Sequence, residues 1–181
     1  MNPLEALRLY RQKKLPGAFE RKKVAHLTLR DVSNPIRPFF SNINPDDKLY
    51  VTVFRLLFFS SMEKFGLNSV AQTYHFHAGR SLGAEMIKEK VVKTVDDIFR
   101  AFIKYKLGLV DIVRESTNIT VINVYECISC SGLPNIGKPV CFFEAGVLSS
   151  ILEHLIGRNT IKEVDCWALG GTKCTFEIYF S

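Results

Sequence analysis

The sequence lacks a long hydrophobic run. Its longest apolar stretch, residues 49–59, is interrupted by Arg55 and falls far short of the roughly 20 residues that span a bilayer as a helix. The opening residues, MNPLEALRLYRQKK, hold no apolar signal core. No membrane span and a cytoplasmic, reducing setting are therefore expected. The sequence has no GxSxG, P-loop, HExxH or GxGxxG. That removes the usual marks of serine hydrolases, nucleotide-phosphate sites, zinc proteases and dinucleotide binders. No two carboxylates stand at a spacing that suggests acid–base work. No catalytic residue is assigned, and a non-enzymatic role is the expectation. Repeats and low-complexity tracts are also missing, which excludes solenoids and long disordered segments.

What is present describes one globular unit. A length of 181 residues corresponds to a single domain able to bury its own core. Hydrophobic residues are 47% of the chain and charged residues 23%. There are 14 Phe against 6 Tyr and 1 Trp, which points to a Phe-rich interior or an apolar pocket within it. The net charge is +6. Basic residues are spread along the chain apart from Lys13, Lys14, Arg21, Lys22 and Lys23. This is not a basic stripe, and nucleic acid is not expected as a partner.

Local patterns place the elements. Leu4, Leu7 and Tyr10 share one side of a helix over residues 3–13, which Pro16-Gly17 breaks. Residues 24–32 alternate apolar and polar, a strand pattern. Asn44-Pro45-Asp46-Asp47 starts a helix that runs to Lys64-Phe65 before Gly66, with Leu49, Val53, Leu56, Leu57 and Met62 as its buried stripe. Asn68 or Ser69 caps a second helix reaching about Glu89, on which Gly79 and Gly83 make a smooth face for close helix packing. Thr94 to Asp97 opens a third helix ending near Gly108. Strands follow at 109–115 and 119–128, then a helix from Pro139 to Leu155-Ile156, then strands at 160–168 and 173–180 around Leu169-Gly170-Gly171. Helices and antiparallel strands come in blocks without a βαβ rhythm, so the class is α+β, an antiparallel sheet packed against helices.

The five cysteines are the chemical signal. All lie between positions 127 and 174. Five is an odd number, and in a reducing setting clustered cysteines suggest metal or reactivity before disulfides. A three-residue loop of Leu169, Gly170 and Gly171 places Cys166 opposite Cys174, on one face, with Cβ atoms about 4.5–5.5 Å apart. A two-residue loop would send the sulfurs to opposite faces. Cys141 falls in the first turn of the helix after Pro139, where the helix dipole favours the thiolate that zinc requires. The other reading is that these are small buried hydrophobes, since Cys174 shares its face with Phe176, Ile178 and Phe180. Cys127 and Cys130 form a CxxC, either a zinc knuckle or a redox pair, without the thioredoxin-type βαβ setting.

Residues 138–178, KPVCFFEAGVLSSILEHLIGRNTIKEVDCWALGGTKCTFEI, together with YHFHAGRSLG at 74–83, resemble the 4-vinyl reductase domain family. The resemblance is specific over 138–180, looser over 46–130 and absent over 1–22. It implies a small α+β domain that binds small molecules, with a fold similar to ligand-binding domains of NO signalling and to subunits of Golgi transport tethers. The family includes sensor domains of aromatic-responsive regulators and proteins linked to bacteriochlorophyll vinyl reduction. In its sensor members a Cys, a Glu and two more Cys hold zinc; the resemblance carries these roles to Cys141, Glu163, Cys166 and Cys174. Three thiolates and a carboxylate make a closed structural site that staples the helix to the hairpin. Glu163 and Cys166 face opposite ways on a regular strand, so joint ligation requires a bulge or strand end between them. Otherwise Glu163 is a solvated acid. Residues 1–22 then form an N-terminal helical extension to a 4-vinyl reductase-like domain at 23–181.

His75 and His77 stand about 200° apart on a helix and cannot chelate one ion together. Each either lines a pocket or is a structural histidine. Arg80 either holds an anionic group or pairs with Glu85 or an aspartate. Trp167 either stacks an aromatic ligand or, if exposed, meets a protein partner. The expectation is a zinc-containing, sensor-like domain that binds a small apolar or aromatic molecule between the helices of 46–89 and the sheet. It would signal as a homodimer or through a partner, with the 3–13 helix and the Gly79/Gly83 face as contact surfaces. One alternative is an accessory protein or enzyme in tetrapyrrole vinyl reduction, although no nucleotide or flavin motif offers electrons. The other is a dimeric structural module like the transport-tether subunits.

Overall fold

The computed structural model describes residues 1–14, 21, 23–64, 69–116 and 118–181. Two hairpins build a four-stranded antiparallel sheet. β1 (Leu109–Glu115) pairs with β2 (Ile119–Tyr125), and β3 (Asn159–Asp165) pairs with β4 (Cys174–Phe180). The hairpins join through β2 and β4, giving the order β1-β2-β4-β3. Ile122 and Val124 of β2 and Cys174, Phe176 and Ile178 of β4 face the core without solvent contact. Ahead of the sheet lie α1 (Pro3–Arg11), α2 (Leu29–Val32), α3 (Pro38–Ile43), α4 (Asp47–Lys64), α5 (Ser69–Lys88) and α6 (Asp97–Lys104). α7 (Phe142–Leu155) connects the two hairpins. The class is α+β, with the sheet packed against helices.

Glycine sets the central helix contact. A Cβ on Gly79 of α5 would collide with the Phe143 carbonyl oxygen of α7. A Cβ on Gly146 of α7 would collide with the Phe76 carbonyl oxygen of α5. The two backbones therefore touch, with Gly83 continuing the seam against Val147. The Gly79/Gly83 face is filled by the chain's own α7, which corrects its expected use as a partner surface. Arg80 reinforces the seam from the side: it donates to Ser149 Oγ at 3.1 Å and pairs with Glu153.

α1 is also anchored. Ala6, Leu7 and Tyr10 are buried with Phe39, Phe40, Leu109 and Tyr125. Tyr10 donates to the buried Glu126 carboxylate, which also accepts the Phe39 and Phe40 N–H groups at 2.8 and 3.1 Å. Arg11 pairs with Asp111.

Several local expectations are corrected. Residues 24–32 are not a strand. Lys23 makes an isolated bridge to Asn135, and Leu29–Val32 is helical. A Thr28–Asp31 capping box overrides the alternation there. β2 stops at Tyr125 because Glu126 takes a positive φ of 50°. α7 begins at Phe142 rather than Pro139, with Cys141 as its cap residue. The largest correction is the face of α4. Leu49, Val53, Leu56 and Leu57 are 41–71% exposed. The buried face carries Asp47, Val51, Arg55, Phe58 and Phe59 instead. Its acid is paired inside: Arg37 donates to Asp47 at 3.0 Å, both fully buried. The Pro16-Gly17 break, the Gly66 stop, the Asn68 cap and the Met62 side chain lie outside the described residues.

The glycine seam is testable. Gly79→Ala forces α5 and α7 apart and costs about 1–3 kcal/mol, a fall in Tm of roughly 2–4 °C per kcal/mol. Ser81→Ala, on the exposed side of the same helix, stays within about 0.5 kcal/mol of the parent. Equal melting temperatures for the two variants would contradict the seam.

Candidate metal centre

Three segments deliver the cysteines to one point. The CxxC loop leaves β2, Cys141 caps α7, and the turn between β3 and β4 carries Cys166 and Cys174. That turn is longer than the expected three-residue loop. A single 3₁₀ turn (Trp167–Leu169) precedes Gly170, which has a left-handed φ of 98°. The register near the turn still matches expectation: Asp165 pairs with Thr175, the same alignment that sets Cys166 opposite Cys174. All five cysteines are free and buried. Cys141 Sγ lies 3.4 Å from Cys127, 3.4 Å from Cys174 and 3.7 Å from Cys166. Cys130 and Cys174 are 3.2 Å apart. Tetrahedral zinc with Zn–S near 2.3 Å spaces its sulfurs by about 3.8 Å.

Glu163 reaches this group through the strand irregularity that joint ligation would require. The β3–β4 register shifts between Glu163 and Asp165, a bulge that turns Glu163 toward the side of Cys166. Its Oε2 accepts the Cys141 N–H at 3.1 Å, so it also caps α7. Its Oε1 is buried without a hydrogen-bond partner. A carboxylate oxygen of Glu163 and the sulfurs of Cys141, Cys166 and Cys174 all lie within 4.8 Å of one another. The sulfurs of Cys127, Cys130, Cys141 and Cys174 meet the same condition. Four buried cysteines thus lie close enough to bind a metal ion. An orphaned buried carboxylate oxygen beside convergent sulfurs fits a cation well.

The electrostatics agree. Burial pushes the Cys130, Cys141 and Cys174 thiols well up, and neighbouring sulfurs add to this at Cys141. Burial also opposes ionisation of Cys127 and Cys166, but hydrogen bonds from neighbouring thiols outweigh it and hold both well down. Burial, then the Cys166 charge, pushes the Glu163 carboxyl well up. Negative charge is costly here until a cation shares it.

Two supporting residues escaped the sequence reading. Arg55 is fully buried; its Nε and Nη2 donate to the carbonyls of Ile128 and Ser131, each at 2.7 Å. Glu144 is fully buried; it accepts from Ser129 N at 3.1 Å and Ser129 Oγ at 2.9 Å, and Cys127 Sγ lies 3.0 Å from its Oε1. Together they clamp the CxxC loop from two sides. A charged residue on an apolar helix reads as solvent-facing, so neither had a visible signal.

The family model of the 4-vinyl reductase domain matches residues 120–180. The uncharacterized protein MJ1642 of Methanocaldococcus jannaschii is 38% identical over 130 residues, 71% of this chain and 76% of that protein. The chain belongs to the 4-vinyl reductase domain family. The resemblance carried by residues 138–178 is borne out, and all five cysteines and Glu163 fall inside the stretch that the family model matches. The fold is similar to the phenol-responsive sensory domain of the transcription activator PoxR, crystallised with phenol (TM-score 0.58, 14% identity, 71% of this chain and 73% of that one). It is also similar to a trafficking protein particle complex subunit 3 from Naegleria fowleri covalently bound to palmitic acid (TM-score 0.54, 14% identity, 74% and 96%).

The remaining candidate residues of this 4-vinyl reductase domain protein are engaged separately. His75 is buried, its ring 3.9 Å centroid to centroid from Phe58, and burial holds its pKa down. His77 is exposed, with its ring edge-on to Phe76. Arg80 is half-buried in the α5–α7 seam, paired with Glu153 rather than with Glu85 or an aspartate. Trp167 is buried; its Nε1 donates to the Leu133 carbonyl at 2.9 Å, and Arg21 covers its ring at 4.1 Å. A cleft of about 440 Å³ opens between α5 and α7, lined by Ala84, Ile87, Lys88, Ser150, Glu153 and His154. Among the described residues, no helix is long and apolar enough to cross a membrane.

Proposed function

We propose that this 4-vinyl reductase domain is a zinc-stabilised, sensor-like module that binds a small apolar or aromatic molecule. Cys141, Glu163, Cys166 and Cys174 hold the zinc. The observation that carries the metal reading is the bulge at Glu163, which leaves a buried, unpaired Oε1 beside three sulfurs. A closed set of three thiolates and one carboxylate leaves no position for water or substrate, so the ion stabilises and does not catalyse. It ties α7 to the β3–β4 turn, where burial alone would leave mutually repelling groups. The ligand reading is supported by the fold, which is similar to one domain crystallised with phenol and to one subunit carrying palmitic acid.

A homodimer is proposed from the outer face of α4. Leu49, Val53 and Leu57 recur at helical spacing and are 63%, 51% and 71% exposed. An apolar stripe of this kind is a common mark of a protein interface.

Elemental analysis of protein purified without chelators is expected to find zinc at one or more ions per chain. A Cys166→Ser, Cys174→Ser double variant is expected to fall well below one. Zinc content well under one in the parent, or undiminished in the variant, refutes the metal reading. Titration with phenol and, separately, with palmitate is expected to raise the melting temperature saturably for at least one probe, since ligand at about 100 Kd adds roughly 2.7 kcal/mol. No shift with either refutes the ligand reading. Sedimentation is expected to give a dimer that Leu49→Glu, Leu57→Glu converts to monomer with zinc retained. A monomeric parent refutes the dimer.

A further inference from the structure

We infer that the cysteine cluster holds two divalent metal ions of the thiophilic class that includes zinc, with the thiolates of Cys141 and Cys174 shared between them. One ion is held by Cys127, Cys130, Cys141 and Cys174. The other is held by Cys141, Glu163, Cys166 and Cys174. The inference rests on the zinc reading above and extends it to a second ion, which makes the CxxC part of the same centre.

Ligand number carries the argument. A tetrahedral ion takes four ligands. Two tetrahedra that share an edge take six ligands, two of which bridge. The cluster offers five sulfurs and Glu163, and the two four-membered groups overlap in two members, Cys141 and Cys174. The contacts follow that pattern. Cys141 and Cys174 sit together at 3.4 Å. Cys127 touches Cys141 at 3.4 Å and Cys130 touches Cys174 at 3.2 Å on one side. Cys166 approaches Cys141 at 3.7 Å on the other side, with Glu163 beside it. A single ion would leave either Cys127 and Cys130 or Cys166 and Glu163 packed against its ligands without a cation.

The surroundings supply the remaining charge. Five thiolates and a carboxylate exceed two divalent cations by two negative charges. Two arginines stand at the cluster. Arg55 is fully buried, and its Nη1 has no hydrogen-bond partner. The guanidinium sits against the CxxC loop, donating to the Ile128 and Ser131 carbonyls that lie on either side of Cys130. Arg21 lies across the ring of Trp167, the residue after Cys166, with its Nε buried and unpaired. The unpaired arginine nitrogens and the doubled thiolate set complement each other. Arg55 also holds the Ile128 and Ser131 carbonyls, so the CxxC loop is preorganised around the sulfurs it presents.

Metal stoichiometry and cadmium-113 NMR of the cadmium-substituted protein test this. The parent is expected to bind two ions per chain. Cys130→Ser is expected to retain one, because the Glu163-containing site survives. Glu163→Gln is expected to weaken the opposite site and leave the CxxC-containing one. Two cadmium resonances are expected, one more sulfur-rich than the other, with scalar coupling through the shared sulfurs. Circular dichroism of each variant distinguishes loss of a site from loss of fold. One ion in the parent, unchanged by Cys130→Ser, overturns the second site and leaves the zinc reading standing. Two uncoupled resonances overturn the bridging. No bound ion in the folded parent overturns both readings.

Discussion

Five sulfur atoms, with neighbours at 3.2–3.7 Å, lie in an interior closed to water, and the architecture around them answers to that constraint. Neutral thiols at this distance attract only weakly. Thiolates at this distance repel strongly, since neither solvent nor salt screens a buried charge. A shared cation reverses the sign of the interaction. The sulfurs it would share come from parts of the chain far apart in sequence: the loop leaving β2, the cap of α7, and both ends of the β3–β4 turn.

Everything else that positions the sulfurs works by close backbone approach or by buried charge. The Gly79–Gly146 seam brings α7 against α5 at backbone distance, and that contact sets where Cys141 sits relative to the sheet. Glu163 accepts the Cys141 N–H at the start of α7 while its other oxygen stays buried and unpaired beside the sulfurs. Arg37, Arg55, Glu126 and Glu144 are all buried beneath this region. Arg37 donates to Asp47 and the Glu126 carbonyl, Arg55 to the CxxC loop, the Glu126 carboxylate accepts from Phe39 and Phe40, and Glu144 accepts from Ser129, while Arg55 Nη1 and Asp47 Oδ2 have no hydrogen-bond partner. Such networks are costly to leave half-satisfied, and they hold the loops in one arrangement.

How far the sequence revealed this depended on which residues carried the information. The glycine pair on α5 was legible because nothing but close approach needs two small residues one turn apart. The Cys166–Cys174 alignment matched expectation in register although the turn that makes it is longer than the three-residue loop read from Leu169-Gly170-Gly171. Glu163 was legible only through family resemblance. Strand periodicity argues against it, and the bulge that admits it has no sequence mark. The buried face of α4 was misread for a physical reason. Apolar periodicity assigns Leu49, Val53 and Leu57 inward, while Asp47 and Arg55 occupy the true core face because each finds a buried partner. Glu144 was missed for the same reason. The alternation of 24–32 was real but lost to a capping box at Thr28.

X-ray absorption at the zinc edge tests the central claim, a sulfur-rich metal knot, most directly. The account predicts a first shell dominated by sulfur near 2.3 Å with a minor oxygen contribution near 2.0–2.2 Å. A shell dominated by nitrogen or oxygen, or no zinc edge in the folded protein, would contradict it.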